Sequence, residues 1–390
     1  MKTLLCTLLL ALTGTAAAAP TFVLDYVPGT SLQAQQGFQA AAQRWAKLFT
    51  DNVTVNLTVG FNPLGGSIIG QAGSARDFYG YGAVQSAMLA DRSSAADITA
   101  VSHLPNGISI PMLINRTANS PNGAGSATPY LDNDGDANNQ TLFLSSASAK
   151  ALGLAVTGQT LSGCSVACDG FIQFNSNFGF DFDPGDGIDA DKFDFVGVAA
   201  HEIGHTLGFI SGVDILDFNS PPNNGPFNDD DFTFLSSLDL FRYSTLSAAL
   251  NAIDWSADQR DKYFSIDGGL TPGPRFSTGA TFGDGRQASH WKDDEFIGLM
   301  DPTAARGELL LISDNDTLAM DVIGWNLAGA TAIPEPSSWA LVALGLLALG
   351  AGIGGFKGPR SAHHRPRTAM PGARCGRRSG QAALVVRAPA

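Results

Sequence analysis

Apolar positions recur with two different periods along the first two hundred residues. Phe22-Val23-Leu24 opens with strand character. Phe38, Ala41, Ala42, Trp45, Leu48 and Phe49 are spaced by three and four behind Ser31, a residue that can cap a helix. Val53, Val55, Leu57, Val59 and Phe61 alternate strictly and predict a strand. The stretch PLGGSIIGQAG that follows reads as a Gly-rich loop; no Lys-Ser/Thr closes it, so it is not a phosphate cradle. A weaker helical pattern covers Val84 to Leu104, with His103 near its end in a structural role. Residues 117–140 are polar and read as loop. Thr141 to Leu144 and Phe171 to Phe174 predict strands, and Ser148 to Leu152 a short helix. Val196, Val198, Ala199, Ala200 and Ile203 form a run apolar enough for a buried helix. Beyond Ser211 the pattern turns irregular, with helical pieces expected at Leu246 to Ile253 and Asp258 to Tyr263. In a closing helix from Asp316 to Trp325, Leu318, Val322 and Trp325 line one face. No internal repeat emerges, and the chain is read as an α+β body, a sheet-bearing N-terminal half with an irregular C-terminal half.

Composition adds a compartment. Hydrophobic residues make up 44% of the 390 and charged residues 15%, which argues for a globular chain. Lys2, the apolar run Leu4 to Leu12 and Ala16-Ala17-Ala18 form a secretory signal over residues 1–18, so export is expected. In an oxidising compartment Cys164 and Cys168, four apart in GCSVACDG, are candidates for a small disulfide loop; a thiolate capping a metal is the alternative use of one of them. Charge is uneven. Eight of the 23 Lys and Arg lie from Lys357 onward, which leaves the body strongly acidic; this excludes nucleic acid as a partner and favours cation binding. Asp132-Asn-Asp-Gly-Asp136 and the Asp/Gly-rich run Asp181 to Asp194 have oxygen donors at spacings that can serve Ca²⁺, or they are solvated turns.

The chemistry concentrates in FDFVGVAAHEIGHTLGFIS, residues 193–211. His201 and His205 are four apart and share one helix face, so both imidazoles can reach a single Zn²⁺. Glu202 beside them is placed to act as general base toward a water on that ion. Gly208 can take positive φ and let the chain turn back beneath the metal. A catalytic zinc needs a third protein ligand and an open position. The compact spacing His-Glu-x-x-His-x-x-Gly-x-x-His puts that ligand at 211, which is Ser here. Asp214 and His290 remain as candidates, imidazole being the commoner third ligand. Met300, ten residues after His290 and followed by the turn-forming Asp301-Pro302, is a core residue or the floor of a metal site.

HEIGHTLGF, a long insertion, SHW and then GLM together resemble leishmanolysin-type metzincins. That resemblance implies His290 as third zinc ligand, Met300 as Met-turn residue, a zincin/metzincin-like fold and a zinc metalloendopeptidase acting on protein or peptide substrates. SGVDILD, SADQRDKYFSIDGG, GDGRQASHWKDD, GLMDPTAARGE and AMDVIGW are similar to a group of exported bacterial zinc metalloproteases, over about residues 21–328. A competing expectation is a non-catalytic matrix or surface module whose structural zinc is closed by a fourth ligand such as Asp214; Glu202 has no use in such a site.

Residues 329–360 contain Pro334-Glu335-Pro336, an uncharged run from Trp339 to Phe356, and then Lys357 and Arg360. This resembles a PEP-CTERM sorting signal. It implies transient residence in the inner membrane through residues 339–356, recognition by an exosortase-type enzyme, and a body released or held at the cell surface or in the extracellular matrix. Residues 361–390 form a basic tail to which no role is assigned, and Cys375 in it is not expected to be structural.

Overall fold

The computed structural model describes residues 18–66, 68–329 and 384–387. The expected signal peptide, apart from Ala18, the expected sorting segment beyond residue 329, including the predicted span 339–356, and Cys375 lie outside the described residues. Among the described residues no helix is long and apolar enough to cross a membrane.

The N-terminal half forms as its periodicity predicts. Strand β1 (Thr21–Tyr26) leads through the turn at Thr30 into helix α1 (Leu32–Ala46), where the Ser31 hydroxyl accepts the N–H of Ala34 and caps the first turn. Strand β2 (Thr54–Asn62) returns parallel to β1. The helix ends at Ala46, earlier than the apolar spacing suggests, because Phe49 enters a bridge with Leu327 and stacks between Trp45 and Trp325.

The stretch expected to be a Gly-rich loop is instead strand β3 (Ile68–Ser74). Gly65 and Gly66 before it do turn, Gly66 with positive φ, but Gly70 within the strand serves close packing. A methyl group at Gly70 would come within 2.9 Å of the Phe174 ring and 3.1 Å of the Glu202 carboxylate. The sheet runs β1, β2, Gly170–Asn175, β3 and Leu384–Arg387. The first three strands are parallel; β3 is antiparallel to Gly170–Asn175, and Leu384–Arg387 pairs antiparallel with the outer edge of β3.

Helix α1 and the helix Phe195–Leu207 pack on each other and on this sheet. Phe38, Phe174 and Phe195 meet with ring centroids about 5 Å apart, and the Trp45 indole donates to the carbonyl of Ala200. Gly37 lets the two helices close, since a Cβ there would lie 2.4 Å from Phe195.

Several other expectations shift. The weak pattern from 84 to 104 is two helices, Tyr81–Asp91 and Ala95–Ser102, separated at Ser93-Ser94, where Ser94 and Asp97 form a capping box. The chain after Ser211 is not irregular at once, for it forms the helix Val213–Asn219. The expected helix at 246–253 stops at Ala249; Asn251 takes positive φ, and Ile253–Asp254 joins Met112–Ile114 as a strand. No helix forms at 258–263. The Asp258 carboxylate accepts the N–H of Arg260 and pairs with the buried Lys262, which lies in the strand Lys262–Phe264. The closing helix forms at Asp314–Val322. The whole is a mixed α and β body with several small sheets, compatible with α+β.

Candidate metal centre

Helix Phe195–Leu207 is buried along its entire length and starts at Asp194, whose carboxylate accepts the N–H of Gly197 at 2.8 Å. It ends at Gly208, with φ 121°. The positive φ brings the carbonyl of Phe209 back beneath the helix, where it accepts from His205 Nδ1 at 2.7 Å. His201 Nδ1 donates to the carbonyl of Leu299 at 2.8 Å, and His290 Nδ1 to that of Gln287 at 3.2 Å.

A carbonyl can only accept, so each of the three Nδ1 atoms carries the proton and each Nε2 is a bare lone pair in the neutral ring. Those Nε2 atoms point at one another. His205 Nε2 lies 2.9 Å from His201 Nε2 and 3.1 Å from His290 Nε2. Three unshared pairs at this distance repel unless a cation sits among them. Zn–N bonds of 2.0–2.1 Å in a tetrahedron would set neighbouring nitrogens about 3.3 Å apart, close to what is seen. Burial pushes the His201 pKa down to about 4. It takes His205 and His290 well below the usual imidazole value, with the neighbouring imidazoles adding to the effect. The rings are thus neutral near pH 7, the form a metal requires. The donor set fits a divalent transition metal, and the structure brings His201, His205 and His290 together as a group able to hold one.

Glu202 is fully buried on the same helix. Its carboxylate reaches toward β3, where Gly70 provides the space for it. Met300 is fully buried beneath the helix. A Cβ at Gly204 would lie 2.6 Å from its sulfur, so the glycine between the two histidines is what lets Met300 approach.

Asp214 is not among the ligand group. Its carboxylate accepts from the backbone N–H of Ala288 at 2.6 Å, from that of Ser289 at 3.2 Å and from the Ser289 hydroxyl. Burial raises its pKa to about 6. Cys164 and Cys168 are joined as a disulfide with Cα atoms 6.5 Å apart, in a small cluster with Ala75 and Leu161 that is separate from the main core, so neither is a free thiolate. His103 is exposed at the end of its helix, bonded to the carbonyl of Thr99.

The two acidic stretches diverge. Asp136 comes together with Asp229 and Asp230 from the distant Asp229–Asp231 turn, their carboxylate oxygens within 4.8 Å of one another. In the run 181–194, Asp181 accepts from the N–H groups of Asp183 and Asp189, and Asp183 from Gly185; these are turns closed by their own carboxylates.

Sequence reasoning missed the residues that hold the site in place. Asp316 accepts from Trp291 Nε1, from the N–H groups of Leu299 and Met300, and from the N–H and hydroxyl of Ser313. It therefore fixes the carbonyl of Leu299 that orients His201. The signal that could have found it is the Ser313-x-x-Asp316 capping pattern at the start of the closing helix. Gly70 was legible only as part of an alternation of small buried residues, Gly70, Ala72 and Ser74. Compared with protein-family models, with curated proteins and with solved structures, the chain matches none.

Proposed function

We propose that this chain is an exported, zinc-dependent metalloendopeptidase of metzincin type. The observation that carries the reading is the convergence of three neutral, buried imidazole Nε2 atoms, from positions 201, 205 and 290, with Glu202 on the same helix. Three protein donors, rather than four, are what a catalytic zinc takes, and Asp214, which could have closed a structural site, is engaged with the 288–289 backbone.

Bound zinc would supply Lewis-acid polarisation of a carbonyl and acidify a water. The chain's own residues supply the rest. His201, His205 and His290 hold the ion, each oriented by a backbone carbonyl on its Nδ1. The Glu202 carboxylate would take the proton of the attacking water on one of its oxygens and return it to the leaving amine. The substrate class is protein or peptide. Sorting by an exosortase-type enzyme and a position at or beyond the cell surface follow from the leader and tail. A Ca²⁺ belongs to the same reading at the first acidic stretch alone, with Asp136, Asp229 and Asp230 as its donors.

Metal analysis and a casein or peptide-library assay test the proposal on the intact chain. Glu202→Gln is expected to retain one zinc per chain while peptide hydrolysis falls by a factor on the order of 10²–10⁴. His290→Ala is expected to bind zinc much more weakly, through His201 and His205 alone. Undiminished hydrolysis by Glu202→Gln removes it from the mechanism, and a metal-free wild-type chain refutes the reading altogether.

A further inference from the structure

We propose that Asp214 is a positioning residue, which holds the segment bearing His290 against the helix bearing His201 and His205. The inference rests on the three-histidine reading of the site. His290 lies 85 positions after His205 and has no sequence-local reason to meet it. Its own ring is set within its own turn, by the carbonyl of Gln287. Placement of that turn relative to the helix is a separate matter, and the contacts that cross the gap come from residues just after the helix.

Asp214 grips two successive amides. Oδ1 takes the N–H of Ala288, and Oδ2 takes the N–H and hydroxyl of Ser289. A grip on two neighbouring amides fixes both the position and the rotation of the turn they belong to. The Ser289 hydroxyl oxygen in turn accepts the N–H of Ser211 at 2.8 Å. Ser211 sits where the compact spacing would put a ligand, yet its backbone and the carboxylate three residues later anchor the neighbour of a ligand recruited from far away. Asp214 is buried, so its hydrogen bonds form out of competition with water. On the other side, the segment is tied into the C-terminal half by the His290 carbonyl, which accepts from Ser277, and by Trp291, whose N–H donates to Met300.

The physical consequence is preorganisation. Without the clamp, ordering residues 288–290 against the helix would have to be driven by metal binding itself, and affinity would fall by that cost. Partners that orient ligands in this way are typically worth about 10- to 100-fold in metal affinity.

The test measures Zn²⁺ affinity by chelator competition, and the visible spectrum of the Co²⁺-substituted chain, in a double-mutant cycle with His290→Ala. Asp214→Ala is expected to weaken Zn²⁺ binding about 10- to 100-fold and to change the Co²⁺ bands. Asp214→Asn, which keeps one acceptor oxygen, is expected to lose less. In the His290→Ala background neither substitution should weaken binding further. Equal losses in both backgrounds, or no loss, overturn the positioning role. If Asp214→Ala does not fold, Ser289→Ala takes its place in the cycle with the same pattern and a smaller loss. Asp169→Ala removes another buried carboxylate, one that holds Ser146 and Lys150, and is expected to leave Zn²⁺ affinity unchanged; a comparable loss there also overturns the proposal. Weakening by His290→Ala without weakening by Asp214→Ala refutes this inference alone, whereas an unaffected His290→Ala chain refutes the three-histidine reading with it.

Discussion

The N-terminal half and the C-terminal half hold their backbones by different means. Between Thr21 and Leu207 the elements that carry the core, helix α1, the sheet and the histidine helix, satisfy their main chain in ladders and helices, and rings such as Phe38, Phe174 and Phe195 fill the space between them. From Gly208 to Ile312 regular structure is sparse, and buried carboxylates take up the amides instead. Asp239 accepts from Gly212 N–H, Ser236 N–H, the Ser211 hydroxyl and Trp255 Nε1; Asp217 accepts from Thr281 and Phe282; Asp214 and Asp316 do the same around His290 and Met300. Buried N–H groups must be satisfied somewhere, and where the chain makes no ladder, an Asp side chain is the substitute. The two halves therefore have different weak points: volume in the first, single oxygen atoms in the second.

The largest expected effect comes from Asp316→Ala. It strips acceptors from Trp291, Leu299, Met300 and Ser313 at once, and leaving several buried donors unpaired is expected to cost about 3–5 kcal/mol. Urea unfolding measures it; a loss under about 1 kcal/mol would mean that these amides find other partners and that the contrast between the halves is false.

Gly204→Ala probes the boundary, because it presses a helix of the first half onto Met300 of the second. The contact of 2.6 Å to the sulfur is too close to keep. Overpacking of about 1–3 kcal/mol is expected, together with weaker metal binding as the helix shifts. A variant as stable as the wild type would show Met300 free to move, contrary to its tight burial.

The smallest effect concerns pH and lies where the halves meet, at Asp51, Asp91 and Asp321. Desolvation raises Asp51 to about 6 and Asp91 and Asp321 to about 7. The folded chain keeps these protons where the unfolded chain, at about 3.9, has lost them. Their contribution to stability is therefore complete below about pH 4 and fades as pH rises through 6 and 7. Asp321→Asn can still accept the Ser94 hydroxyl, and it is expected to flatten that decline and to equal or exceed wild-type stability at pH 8. Thermal unfolding across pH 4–8 decides it, an unchanged slope counting against the assignment.

Legibility followed the same division. Helix α1 and strands β1 and β2 announce themselves by the period of their apolar positions, and the histidine helix by a continuous apolar run that fits its burial on every side. Strand β3 did not, since apart from Ile69 its buried positions are Gly70, Ala72 and Ser74, small residues that carry little apolar signal, and Gly70 is there for closeness to Phe174 and Glu202. The helix expected at 258–263 failed for the opposite reason: its charges serve a buried ion-pair cluster and not a helix face.

By itself the sequence determined that His201, Glu202 and His205 share a buried helix, because a spacing of four and an apolar flank are local facts that any fold must respect. It also determined that His290 and Met300 were the residues to watch, through their resemblance to a known arrangement. Only the tertiary structure decided that His290 faces the pair with its Nε2 inward, that Asp214 grips its segment instead of competing for its place, and that Gly70 and Gly204 leave room for Glu202 and Met300. A carboxylate holding an amide 74 positions away has no period and leaves no trace in a one-dimensional pattern. It exists only once the chain has closed around it.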